Sequence, residues 1–216
     1  MLVDSITGHS HAETIQEASH GHRLYPKASI ICDASLEGLG AILLINNRAV
    51  RIMASEVTQG AADALGFTLG SSASQGIVET LAVLVSIRLW ERELQSCQVT
   101  LVIESDSLTA LATTQRLASS DPALNFLGAE LPIAVEAAGL EKLQAKHIPG
   151  TANVNADYLS RPSKWGNTPR PAEIKDLPLT TPPGRAASFY RLPTPRDEPE
   201  LWRSNVAASN AWASLK

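Results

Sequence analysis

Four carboxylates in this 216-residue chain occupy places where apolar elements would ordinarily carry no charge. Asp33 closes the run Ile31-Cys32-Asp33-Ala34-Ser35, and Glu79 interrupts the apolar stretch IVETLAVLVSIRLWEREL. Asp106 follows the β-like run QVTLVIE and its serine, and Asp157 lies among Ala156, Tyr158 and Leu159. Each alone has a structural reading: an Asp at a strand end serves as a turn or cap residue, and a Glu in a first helical turn complements the helix dipole. Together they point to chemistry. Converging carboxylates repel and raise one another's pKa unless cations neutralise them. Hard oxygen donors without Cys or clustered His select Mg²⁺ or Mn²⁺ over Zn²⁺. Two such ions about 4 Å apart form the usual clamp for in-line displacement at phosphorus.

Other candidate groups are weaker. His9, His11, His20 and His22 form two H-x-H pairs in a Ser/Gly/Thr-rich lead-in with no Cys or carboxylate constellation, and read as linker. Cys32 and Cys97 sit in apolar runs and read as reduced core thiols. Neither a G-x-S-x-G elbow nor a P-loop is present, so nucleophilic hydrolase and nucleotide-cradle chemistry have no anchor.

The elements that must position the acids follow from periodicity. Residues 28–56 read as three β segments joined by tight turns, one of them at Asn46-Asn47. The Gly/Ser/Ala-rich stretch 58–76 reads as a loop. From Ile77 the apolar residues recur at helical spacing up to Trp90, with Glu79 in the first turn. Residues 98–104 read as a buried strand, and 105–118 as a helix capped by Ser105 or Asp106. Residues 122–139 form a further helix with a kink expected at Pro132. Residues 141–148 then give a fifth strand, and 152–160 a last short helix. The order β-β-β-α-β-α-α-β-α predicts an α/β fold. If strands one and four are neighbours, Asp33 and Asp106 end side by side.

These residues resemble the ribonuclease H family. Asp33-Ala34-Ser35 followed by Gly38-Leu39-Gly40-Ala41 is similar to its first-strand signature and hairpin. Glu79-Thr80-Leu81-Ala82 with Trp90 resembles its first helix, and Ser105-Asp106-Ser107 its fourth-strand acid. The most specific match is HIPGTANVNADYLSR, running from His147 to Arg161, which resembles the ending of ribonuclease H domains in gypsy-type and related retrotransposon reverse transcriptases. The resemblance covers residues 28–162. It implies a ribonuclease H-like fold with a five-stranded mixed sheet in the order 3-2-1-4-5, flanked by helices. It also implies an endonuclease that cuts the RNA strand of an RNA–DNA hybrid with two Mg²⁺ ions, Mn²⁺ being a possible substitute. By the same resemblance Asp33 bridges both metals, Asp157 completes the site that activates water, and Glu79 and Asp106 hold the second ion. Glu79 would lie near the 2′-hydroxyl that distinguishes RNA from DNA. Ser35, Ser107, His147 and Asn153 are the implied substrate contacts, although His147 at a strand end reads chiefly as structural.

Two departures from the family stand out. Its mobile His just past the Pro-Gly-like turn is replaced by Thr151, and its basic helical protrusion is absent, Arg116 being the only base in residues 106–140. Charge agrees with weak intrinsic grip. Residues 28–162 carry 8 Lys/Arg against 14 Asp/Glu, whereas residues 163–216 carry 8 against 5. An upstream reverse transcriptase domain in a parent polyprotein, or the basic tail, is the expected source of affinity.

Three segments are therefore expected: a flexible lead-in (1–27), a ribonuclease H-like domain (28–162) and a disordered tail (163–216), nine of the thirteen prolines lying in residues 162–216. Phe189-Tyr190 and Trp202 are the tail's candidate docking residues. No apolar run approaches the roughly 20 residues that span a bilayer, and the N-terminus lacks the pattern of a secretory signal. The expected location is intracellular, with no membrane partner. Two alternatives keep the fold. One is a catalytically inactive, structural or connection-type relic; the other is an integrase-like enzyme using a late Glu such as Glu136 or Glu141, which leaves Glu79 and the ADYLSR match unexplained.

Overall fold

A computed structural model describes residues 26–97 and 100–202. The expectations for the histidine-bearing lead-in and for residues 203–216 fall outside the described residues.

The first three β segments form as their patterning requires. Strand β1 (Ala28–Ala34) alternates strictly between buried and half-buried positions. Its Ala28, Ile30, Cys32 and Ala34 enter the main core, so Asp33 points to the other face of the sheet with Ile31. β2 (Gly38–Ile45) and β3 (Arg48–Glu56) follow as an antiparallel meander. Asn46 and Asn47 both take positive φ in the tight turn between β2 and β3, the conformation of a primed hairpin turn, which Asn tolerates.

The stretch expected to be a loop contains a short helix, α1 (Gln59–Leu65). Thr58 caps it, Gly66 ends it at φ 73°, and burial of Ala61, Ala62, Ala64 and Leu65 stabilises it. Its three alanines are strong helix formers, and covering their face offsets the cost of Gly60 inside the helix. Helix α2 (Gln75–Leu89) begins two residues earlier than periodicity indicates, so Glu79 sits in its second turn rather than its first. The stretch Ser72–Leu89 is apolar enough in length and composition to cross a membrane, with mean hydropathy 1.2. Here it packs against β1, β2, α4 (Leu108–Arg116) and α5 (Pro122–Ala137), after a single turn α3 (Glu91–Leu94) closes its C-terminal side. Ser107, not Ser105 or Asp106, caps α4, because its hydroxyl accepts from the Ala110 amide.

Strands β4 (Thr100–Ser105) and β5 (Lys142–His147) run parallel to β1, and α6 (Val154–Leu159) lies on the opposite face of the sheet. The α/β class and the central order 3-2-1-4-5 are as expected. A sixth strand, β6 (Leu179–Thr180), extends the sheet beyond β3 to give β5-β4-β1-β2-β3-β6.

That strand belongs to the segment expected to be disordered, which is the main correction. Residues 163–202 pack on the domain. Ile174 is buried with Ile42, Ile52 and Leu159, while Tyr190 and Trp202 enter the main core. Both rings meet Phe126 edge-on, at centroid separations of 5.2 and 5.0 Å. Beneath them Arg88 and Glu130 form a buried ion pair, and Glu130 also accepts from the backbone amides of Arg191 and Leu192. The Arg88 guanidinium lies 4.8 Å over the Phe189 ring and donates to the Phe189 carbonyl. Few anchors, widely spaced, hold an irregular chain without giving it a period.

Candidate active site

The site is built at the carboxyl ends of two adjacent parallel strands, where open α/β sheets present ligand-binding groups. In the β1–β4 register Ile31 lies opposite Glu104. Two residues further along come Asp33, on β1, and Asp106, just past the end of β4. The Asn153 side chain joins them: its Nδ2 donates to Asp106 Oδ1 at 3.0 Å, to Asp33 Oδ1 at 3.3 Å and to the Cys32 carbonyl at 3.1 Å. Asn153 is 1% exposed, and its Oδ1 has no partner among the described residues. With three acceptors around one nitrogen, the amide orientation follows from the network.

Two glycines let α6 approach. A Cβ on Gly40 would stand 2.6 Å from the Ser160 amide nitrogen, and one on Gly38 would stand 2.6 Å from the Ser160 carbonyl. Because neither is present, the α6 backbone rests directly on β2. Gly40 is the register partner of Asp33, so this approach brings the end of α6 to the carboxylate. The buried Ser160 hydroxyl donates to Asp33 Oδ2 at 2.5 Å. Asp157, on the same helix, is held by Arg161 Nε at 2.6 Å and Lys164 Nζ at 2.8 Å.

Glu79 reaches the site from the other face of the sheet. Gln75, one turn back on α2, donates to Glu79 Oε1 at 2.9 Å and to the Ala34 carbonyl at 2.7 Å, tying the helix to the end of β1. The Ser107 hydroxyl donates to Glu79 Oε2, which links α2 to the start of α4. A Cβ at Gly150 would lie 3.1 Å from Asp106 Oδ2, so the turn after β5 crowds that acid as well.

Electrostatics reflect this crowding. Burial first, then the negative charges of Asp106 and Asp157, push the Asp33 carboxyl up to about 6, against the Ser160 hydrogen bond and the Arg161 charge, which lower it. For Asp157 burial works in the same upward direction, but hydrogen bonds and charge from Arg161 and Lys164 hold it below its ordinary value. Among the described residues no three His, Cys, Asp or Glu side chains already converge as a metal cage. The donor chemistry nonetheless suits a hard divalent cation: the acids offer oxygen only, and Asp33 carries a charge that its surroundings disfavour.

Comparison with protein-family models finds no match, and comparison with curated proteins finds none either. Solved structures similar to this chain include two ribonuclease H proteins. One is RNase H1 from the halophilic archaeon Halobacterium salinarum NRC-1, with 12% identity, a TM-score of 0.44, and 62% of this chain and 92% of that chain covered. The other is the N-terminal RNase H domain of Rv2228c from Mycobacterium tuberculosis, fused to maltose-binding protein, with 14% identity, a TM-score of 0.45, and 62% of this chain and 95% of that chain covered.

Of the expected site residues, Asp33, Asp106 and Asn153 are joined directly; Asp157 is linked through α6 and Ser160, and Glu79 through Gln75 and Ser107. The expected substrate contacts divide differently. Asn153 is buried and spends its amide on the acids. Ser35 donates to the Ser160 carbonyl at 2.5 Å and accepts from the amides of Glu37 and Gly38, so its hydroxyl shapes the turn after β1. Ser107 both caps α4 and holds Glu79. His147 is exposed at the end of β5, in register with Ser105. Sequence reasoning missed Gln75 and Ser160 as holders of the acids, and Arg161 and Lys164 as their counter-charges. Gln75 had a signal, a position one helical turn before Glu79, and Ser160 and Arg161 stand inside the ADYLSR motif.

Proposed function

We propose that this chain is a ribonuclease H-type endonuclease that hydrolyses the RNA strand of RNA–DNA hybrids. The observation that carries the reading is the Asn153 amide bridging Asp33 and Asp106 at the ends of neighbouring strands, with Asp157 and Glu79 brought in from opposite faces of the sheet. Buried machinery that holds acids together against their mutual repulsion is costly to a fold and is characteristic of a site that neutralises them with cations.

Asp33, Glu79, Asp106 and Asp157 are the residues that would hold two Mg²⁺ ions, or Mn²⁺ in their place. Such ions, when bound, supply charge neutralisation at phosphorus and a water acidic enough to attack. The protein's own contribution is positioning. Ser160 and Asn153 fix the two oxygens of Asp33, Gln75 and Ser107 fix those of Glu79, and Arg161 and Lys164 keep Asp157 ionised. Hydrolysis adds water across the phosphodiester and leaves 5′-phosphate and 3′-hydroxyl ends. Glu79 is the residue assigned to the RNA 2′-hydroxyl.

The HIPGTANVNADYLSR segment supports a retroelement reverse transcriptase as the parent, with a polymerase domain upstream as partner. The acidic domain and the absence of a basic protrusion agree with grip supplied from elsewhere. Divalent-cation binding tests the site itself. Mn²⁺ titrated into the chain and followed by electron paramagnetic resonance should bind to the wild type and bind far more weakly to Asp33→Asn and Asp106→Asn. A folded wild type that leaves Mn²⁺ free would overturn the assignment and favour the relic.

A further inference from the structure

A second concave feature lies on the α6 face of the sheet, and none of the four carboxylates lines it. It is a cavity of about 890 Å³ between β3, the C-terminal end of α6 and the segment 165–185. That volume lies within the range of small-molecule sites. Its lining includes three cations, Arg170, Lys175 and Arg185, the indole of Trp165, and one acid, Glu56.

Arg185 is the informative residue. It is 1% exposed, and among the described residues no carboxylate pairs with it. Its Nη groups donate to the Glu56 and Pro183 carbonyls, while Nε is buried and has no partner. A guanidinium keeps its proton under all ordinary conditions, so this is a buried positive charge satisfied only by neutral dipoles. Arg88, an arginine whose side chain is largely buried, has Glu130. The remaining cations of the lining are hardly better matched: Arg170 donates to the Lys175 carbonyl at 3.2 Å, and Lys175 lies 3.9 Å from the exposed Asp176. Trp165 is half-buried and donates to the Tyr158 carbonyl, which fixes the indole at the wall.

We propose that this cavity binds a phosphate monoester carrying a flat base, of the nucleoside monophosphate class, with the phosphate against Arg185, Arg170 and Lys175 and the base against Trp165. The guanidinium fork matches phosphate oxygens in pairs, and an indole offers a stacking face to any base. The site is independent of the hydrolase reading, because its residues and those holding the carboxylates are different.

Calorimetric titration of the full chain tests it, with adenosine 5′-monophosphate, inorganic phosphate and adenosine as probes. The nucleotide should bind at least ten times more tightly than either fragment. Arg185→Gln should abolish that binding, and the surface double variant Arg170→Gln/Lys175→Gln should weaken it at least several-fold while the circular dichroism spectrum stays native. Asp33→Asn should leave the affinity unchanged, which separates this cavity from the carboxylates. A 5′-phosphorylated decamer that competes with the nucleotide would make the ligand a strand end, and failure to compete would make it a free nucleotide; both outcomes sustain the site. Absence of nucleotide binding by the folded chain would overturn the proposal. So would an affinity that survives the surface double variant, whose fold does not depend on Arg185.

Discussion

Ser160 donates its hydroxyl to the Asp33 carboxylate at 2.5 Å, joining the residue that ends α6 to the central strand. The contact depends on how closely α6 lies against β2, and that closeness depends on glycine.

Gly40→Ala tests the dependence. A methyl there would stand 2.6 Å from the Ser160 nitrogen, a backbone atom that yields only if α6 moves. Overpacking of this kind costs about 1–3 kcal/mol, which urea denaturation will register. Activity should fall more than stability, because Ser160 and Asp157 move together. A variant as stable and active as the wild type would show that α6 adjusts freely.

Asp33 gives a pH prediction for chelator-treated protein. Its folded pKa of about 6 exceeds the ordinary 3.8, so the folded state holds the proton more tightly than the unfolded one. Stability from this group is therefore present below about pH 4 and is lost as pH rises through about 6, by at most about 3 kcal/mol. Asp33→Asn removes the effect: the variant should melt higher than the wild type at pH 7, and the gap should close towards pH 4. Parallel curves across that window would refute the charge burden assigned to Asp33.

Lys164 makes an ion pair with Asp157 that a divalent cation must compete with. Lys164→Gln should therefore tighten Mn²⁺ binding several-fold, read by paramagnetic resonance, whereas the surface change Lys175→Gln should not. Equal affinities in all three proteins would mean that Asp157 takes no part in holding the ion.

The packed tail predicts a stability loss at a distance from the site. Glu130→Ala leaves Arg88 buried without its counter-charge, at a cost of about 3–5 kcal/mol, and Trp202→Ala removes a ring from the Phe126 cluster at a similar cost of about 3–5 kcal/mol. Urea midpoints measure both. Wild-type midpoints in the two variants would show that residues 163–202 are dispensable to the domain.

These outcomes also mark what the sequence could disclose. The five central strands were legible because alternation and β-branched runs are local signals, and the acids were legible because charge in an apolar run is conspicuous. Strand order came from the resemblance, not from periodicity. The tail was misread because Ile174, Tyr190 and Trp202 are held by long-range contacts that leave no pattern among the prolines around them. Helix α1 was missed because its Ala and Gly residues resemble a loop until burial is known. Asn153 was noticed only as a substrate contact, since three dimensions are needed to reveal two acids around its amide.

Cleavage of a labelled RNA–DNA hybrid in the presence of Mg²⁺ or Mn²⁺ tests the central claim most directly, with wild type, Asp33→Asn and Asp106→Asn compared. The account predicts metal-dependent cutting of the RNA strand alone, lost in both variants. A folded wild type that cuts neither strand at any metal concentration would contradict it, as would cutting that survives both substitutions.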